Sequence, residues 1–132
     1  MMYARDLMTT RLTLVNRRAT LKDAAVRMRE ENIGILPVVD KSHVVGMLSD
    51  RDLVVRGVAS GVDTETTLVE DIMTPKVVSC SEDRPARDLA ELMHRHGVHR
   101  LLVVNGRGKP VGIVSATDLA KEQLFEAELI NS

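Results

Sequence analysis

Gly46-Met47-Leu48-Ser49-Asp50-Arg51-Asp52-Leu53 returns as Gly112-Ile113-Val114-Ser115-Ala116-Thr117-Asp118-Leu119: a glycine, two apolar residues, Ser-x-x-Asp and a leucine. The repetition extends upstream. Asp6, Met8 and Thr9 recur as Asp71, Met73 and Thr74, and Asp23, Ala25, Met28, Leu36, Val38 and Val39 as Asp88, Ala90, Met93, Leu101, Val103 and Val104, all at an offset of 65. One extra residue near Asn105-Gly106-Arg107-Gly108 makes the offset 66 for the closing motif. A unit this long holds several secondary elements, so the chain reads as a duplicated half-domain and not as a solenoid.

Each copy reads β-α-β-β-α. In the first, Leu12 to Val15 is a strand candidate, and Thr20 is placed to cap a helix with Asp23 as the capping-box acid. Leu21, Ala24, Ala25 and Met28 then follow helical spacing and define an apolar face. Asn32-Ile33-Gly34 ends that helix. Ile35 to Val39 is a strand whose Pro37 points to an edge or a strand start. Val44 to Leu48 is the next strand, and a helix is expected from Ser49 toward Gly57. The second copy repeats this with Val77 to Ser79, a helix from Pro85 to His96, strands Arg100 to Val104 and Val111 to Val114, and a helix from Ser115. Ala86, Leu89, Ala90 and Met93 reproduce the apolar spacing. Residues 61–70 form a polar connector between a first repeat, 1–60, and a second, 71–132. A half with three strands and two helices needs a partner for its apolar faces, so the expected fold is α/β (α+β), two repeats packed about a pseudo-twofold axis into one module.

The 132 residues suffice for a real core, and hydrophobic residues make up 44%. Aromatics are reduced to Tyr3 and Phe125, which disfavours single-strand nucleic-acid binding by base stacking. The net charge of −1 brings no general attraction to DNA or anionic membrane, although Arg11, Arg17, Arg18, Lys22, Arg27 and Arg29 cluster in the first half. A lone Cys80 excludes an intrachain disulfide and fits a reducing cytoplasm. No stretch has the length of a membrane-spanning helix or the pattern of a signal peptide. A cytoplasmic protein without membrane or nucleic-acid partners is expected.

Ser49-x-x-Asp52 and Ser115-x-x-Asp118 sit where a strand gives way to a helix, and two readings compete. The serine and the acid can form a capping box. Alternatively, the free N–H groups of the helix start suit a phosphate, and the aspartate can accept from the two vicinal hydroxyls of a ribose. Both can hold together. His94, His96 and His99 lack a companion set of cysteines or acids, so no metal site is expected. No nucleophile motif and no phosphate loop of ATPase type occurs, so no catalytic residues are assigned and no enzyme is expected.

The tandem arrangement resembles a pair of CBS domains, the regulatory modules first recognised in cystathionine β-synthase. Matching segments are Asp6 to Thr9, Ile33 to Val39 and Gly46 to Leu53, then Asp71 to Thr74, Gly97 to Val104 and Gly112 to Leu119. The resemblance implies a stand-alone regulatory protein with two clefts between the repeats for adenosine-containing ligands: AMP, ADP, ATP, NAD or S-adenosylmethionine. No cofactor is obligatory on this reading; AMP or ATP is the candidate ligand, with magnesium only alongside ATP. It also implies a homodimer and a protein effector of unknown identity. Carried over residue by residue, Asp118 binds the ribose, Ser115 or Thr117 the phosphate, and His99 and Arg100 further phosphate oxygens, while Thr74, Lys76, Val77 and Val98 frame the adenine. The second cleft, with Asp52, Ser49, Arg51, Ile33 and Gly34, is expected to be weaker. There Gly34 and Ile35 replace the basic pair, and Asp50 adds negative charge where Ala116 stands in the other copy. A non-binding scaffold that dimerises through its repeats is the alternative.

Overall fold

A computed structural model describes residues 1–131, with side chains through Gln123. Along the chain run α1 (Ala4–Leu7), β1 (Val15–Asn16), α2 (Leu21–Glu31), β2 (Ile35–Asp40), β3 (His43–Ser49) and α3 (Asp50–Asp52). The last of these continues into a wider π-helical turn, Leu53–Gly57, and a tighter 3-10 turn, Val58–Ser60. Then come α4 (Val69–Ile72), β4 (Ser79–Ser81), a 3-10 turn at Ala86–Asp88, α5 (Leu89–His96), β5 (Arg100–Val104), β6 (Pro110–Ser115) and α6 (Ala116–Asn131). Setting aside the short helices α1 and α4, both copies follow the expected β-α-β-β-α order. The sequence also gives Gln123 to Ile130 an amphipathic pattern that could extend the last helix into a dimer contact; past Gln123 these side chains lie outside those described.

The chain divides into two compact units whose boundaries differ from those of the sequence repeats: residues 13–77 form one, and residues 1–12 with 78–131 the other. The reason lies in the Met-Thr pairs. In the unit 13–77, Thr74 exchanges two backbone hydrogen bonds with Met47, both 2.9 Å, along the outer edge of β3. Beside it the Met73 side chain fills the space over Gly46, where an added Cβ would stand 2.5 Å from Met73 Sδ. In the other unit Thr9 pairs in the same way with Ile113, and Met8 covers Gly112. So the segment that opens each sequence repeat completes the sheet of the other repeat. The glycine of the repeated motif is there to admit a methionine.

Each unit holds a three-stranded sheet, in the order β1-β2-β3 or β4-β5-β6, with the first pair parallel and the second antiparallel. Pro37 therefore lies in a central strand, not at an edge. It is tolerated because Met47, opposite it, turns its backbone groups outward to Thr74, so the pair exchanges no hydrogen bond. The missing N–H faces β1, which pairs only from Val15 onward. At the equivalent place Leu102 N–H donates to Val78 O at 2.9 Å. The opening strands also begin later than the apolar runs Leu12–Val15 and Val77–Ser79 predict. Ladder pairing starts only where the backbone meets Val38 and Leu102, which apolar character alone does not specify.

Thr20 caps α2 as expected: its side chain accepts from Asp23 N–H, and Asp23 reaches back to the Thr20 amide. Asn32 ends α2 in the left-handed conformation, φ 53°. Leu21, Ala24 and Met28 are buried with Leu36, Val38 and Leu48, whereas Ala25 is exposed. In the other unit Leu89, Leu92 and Met93 pack with Leu101, Val103 and Val114; Ala90 is exposed and Ala86 half-buried. The alanines flank the buried stripe, and Leu92 widens it on the side away from Ala90. The polar connector is hydrogen-bonded to the start of α2: Leu21 N–H donates to Thr67 O and Lys22 N–H to Thr64 O, each at 3.0 Å. No described helix is long and apolar enough to cross a membrane.

Candidate functional site

Both Ser-x-x-Asp motifs close as capping boxes. Ser115 Oγ accepts from Asp118 N–H at 3.1 Å, and Asp118 Oδ2 accepts from Ser115 N–H at 2.8 Å. Ser49 and Asp52 make the same pair of bonds at 3.1 and 2.9 Å. The capping role is thus real, and it orients each carboxylate. One oxygen is turned to the backbone, and the other projects from the first turn of the helix.

In the unit of Asp118 the sheet brings the expected residues together. Arg100 pairs with Ser115 across β5 and β6, and Ala116 N–H donates to His99 O at 2.8 Å. His99, Arg100, Ser115, Thr117 and Asp118 consequently share one end of the sheet. Arg100 opens a central strand, yet both basic side chains are exposed and make no ion pair or hydrogen bond with a described residue. A hollow of about 410 Å³ adjoins this end, lined by Met93, His94, Val98, His99, Ala116 and Leu119 among others. Positive charge, helix-start N–H groups, an oriented carboxylate and apolar wall lie side by side. Such a surface can take a phosphorylated polyol with an apolar ring.

The first motif is built differently. Ile35 pairs with Ser49, and Asp50 N–H donates to Gly34 O at 2.9 Å, so the backbone frame is the same. The Asp50 carboxylate lies over Gly34, leaving an added Cβ 2.8 Å from Oδ2, and its Oδ1 accepts from Arg51 N–H. No basic side chain can stand at residue 34 without moving Asp50. Ile33 is half-buried and packs against the core of this unit. The Arg51 side chain is exposed and pairs with no described acid. Thr74, Lys76 and Val77, read from the resemblance as framing the adenine beside Asp118, belong to the unit of Asp52. Thr74 Oγ1 accepts from Arg56 at 2.7 Å, and the same guanidinium nitrogen donates to Asp52 Oδ1 at 3.1 Å. The sequence reading missed Arg56. The signal that could have found it is its fourth-residue spacing from Asp52, which places both on one helix face.

Elsewhere the basic cluster of the first half is partly neutralised. Arg17 pairs with Glu70 at 2.5 Å and Asp40 at 3.1 Å, which raises its pKa, Glu70 contributing most; Lys22 pairs with Glu65. Cys80 is buried, and desolvation raises the pKa of its thiol while Arg84 opposes the shift. Among the described residues no group of three or more His, Cys, Asp or Glu side chains is arranged to hold a metal ion.

Comparison with known proteins agrees with this architecture. The CBS domain family model matches residues 4–57 and 69–124. The CBS domain-containing protein YhcV of Bacillus subtilis is 36% identical over 124 residues, 94% of this chain and 87% of that protein. Hypoxic response protein 1 of Mycobacterium tuberculosis is 34% identical over 122 residues, 92% of this chain and 85% of that protein. A crystal structure of Hypoxic Response Protein I with two coordinated zinc ions superimposes with a TM-score of 0.73 at 34% identity, covering 92% of this chain and 99% of that one. A CBS-domain containing protein from Agrobacterium tumefaciens gives a TM-score of 0.77 at 26% identity, covering 92% of each chain.

Proposed function

The chain belongs to the CBS domain family, whose paired repeats are regulatory, ligand-binding modules, and from that premise we propose that it senses an adenosine-containing nucleotide. AMP, ADP or ATP comes first, and NAD or S-adenosylmethionine is the wider class. ATP would bring magnesium with it. The observation that carries the reading is the end of the second sheet. There Asp118 holds one carboxylate oxygen toward Ser115 N–H and leaves the other clear of described donors, beside the exposed Arg100 and His99. The clear oxygen accepts from the ribose hydroxyls, the helix-start N–H groups with Ser115 or Thr117 meet phosphate, and Arg100 adds a charge-assisted bond. That bond is worth about 1.5–3 kcal/mol. Val98 and the adjoining hollow receive apolar surface of the base. A sensor works only if ligand binds one arrangement of the protein better than another. The proposed readout is a change in repeat packing or homodimerisation, passed to a protein effector.

The scaffold reading keeps one observation of its own. Val54, Val55 and Val58 are 59%, 47% and 66% exposed on successive turns after α3, more apolar surface than a solvent-facing turn needs. Titration calorimetry with AMP, ATP, NAD and S-adenosylmethionine decides between the two. Saturable binding that Asp118→Ala abolishes supports the sensor. Silence from all four ligands at millimolar concentration sinks it and leaves the scaffold.

A further inference from the structure

The two Ser-x-x-Asp sites share a capping box and part company one helical turn later. Four residues beyond Asp52 stands Arg56; four beyond Asp118 stands Glu122. Arg56 donates to Asp52 Oδ1 at 3.1 Å and to Thr74 Oγ1 at 2.7 Å. With Oδ2 already accepting Ser49 N–H, both oxygens of Asp52 are engaged from within the protein, and its side chain is only 16% exposed. Glu122 offers no N–H donor in the place that Arg56 takes beside Asp52. Asp118 Oδ1 accordingly meets no described donor.

We propose that Arg56 is the resident occupant of the first site, taking on Asp52 the place that a ligand's vicinal hydroxyls take on Asp118. Ligand is then held at Asp118 alone, one molecule per chain. This rests on the nucleotide-sensor reading and adds which of the two sites works and what silences the other. An exposed ion pair of i,i+4 spacing is worth little by itself. Here the guanidinium is held from two sides, by the helix and by the segment bonded to β3, so it is pre-placed on the carboxylate. A diol arriving at Asp52 must share or displace a charge-assisted hydrogen bond and meets a carboxylate already neutralised by contact. That penalty corresponds to roughly ten- to a hundredfold in affinity.

Replacing each of the two residues in turn tests the idea, with adenosine as the probe because it carries the diol and no phosphate for Asp50 to repel. Calorimetry should find one adenosine per wild-type chain, lost in Asp118→Ala. Adding Arg56→Met to Asp118→Ala should restore binding, and further adding Asp52→Ala should remove it again. In the other direction, Glu122→Arg should weaken wild-type binding roughly ten- to a hundredfold by installing a guanidinium on Asp118. Thermal melting checks that each variant folds, and Glu122→Arg decides the matter if Arg56→Met does not. Two wild-type sites, or no restored site together with an unaffected Glu122→Arg, overturn the role of Arg56 and leave the sensor reading intact. A silent wild type with Asp52-dependent binding in Arg56→Met keeps the role of Arg56 and discards Asp118 as the sensor site. Silence throughout discards both.

Discussion

Replacing Gly46 by alanine asks for one methyl group in a place the fold has already filled. The new Cβ would lie 2.5 Å from Met73 Sδ, 3.1 Å from Met73 Cγ and 2.9 Å from the carbonyl oxygen of Thr74. The methionine can swing aside, but the carbonyl cannot, because it accepts Met47 N–H at 2.9 Å while Thr74 N–H returns the bond. Overpacking of this kind costs about 1–3 kcal/mol, against which a Gly→Ala change recovers about 0.4–1 kcal/mol through the unfolded chain. Taking the middle of each range, the net expectation is a loss of about 1.3 kcal/mol, which at a mid-range urea slope of about 2 kcal/mol per molar moves the unfolding midpoint down by roughly 0.65 M. Urea denaturation followed by far-ultraviolet circular dichroism measures it, with Gly106→Ala, where a Cβ meets nothing within 4 Å, as the control. Adding Met73→Ala should recover only part of the loss, since the Thr74 carbonyl stays. An unchanged or raised midpoint for Gly46→Ala, at an unchanged slope, would refute the docking argument and with it the explanation of the repeated glycine.

Three further perturbations probe other parts of the structure. Thr20→Ala removes the acceptor for Asp23 N–H and should cost about 1 kcal/mol, while Thr20→Asp, which keeps an acceptor, should cost much less. Leu101→Ala opens a cavity at a fully buried position and should cost about 2–5 kcal/mol, whereas Leu14→Ala, at a position 42% exposed, should stay within about 0.5 kcal/mol. For Cys80, burial raises the thiol above its ordinary pKa of 9.0, so above that pH the unfolded chain releases its proton first. Stability should therefore fall as pH rises past that value, and Cys80→Ala should flatten the decline in urea midpoint between neutral pH and about pH 10. Native protein should also react slowly with iodoacetamide and quickly once unfolded.

Much of each half was legible because it depends on neighbours in sequence. Thr20 and Asp23, Ser49 and Asp52, and Ser115 and Asp118 sit three residues apart, so their capping boxes follow from spacing alone. The unbroken apolar run Leu101 to Val104 and the apolar spacing around Leu21 and Leu89 did the same for strands and helices. The duplication announced two equivalent sites, and the change from His99-Arg100 to Gly34-Ile35 announced that they differ.

What stayed hidden rests on contacts between distant segments. Pro37 occupies a central strand only because Met47 turns its hydrogen bonds toward Thr74, which no local pattern around Pro37 reveals. The exposed Ala25 and Ala90 share the helical spacing of the buried residues, and only the packing of each core shows where the stripe ends. Arg56 reads as a surface charge until Thr74 is brought against it from 18 positions away. Sequence alone therefore determined the duplication, the element order and the helix caps, since short-range hydrogen bonding and apolar periodicity are written into adjacent residues. Tertiary structure decided which repeat each Met-Thr segment completes and which aspartate keeps an oxygen clear, because both depend on the chain meeting itself across long separations.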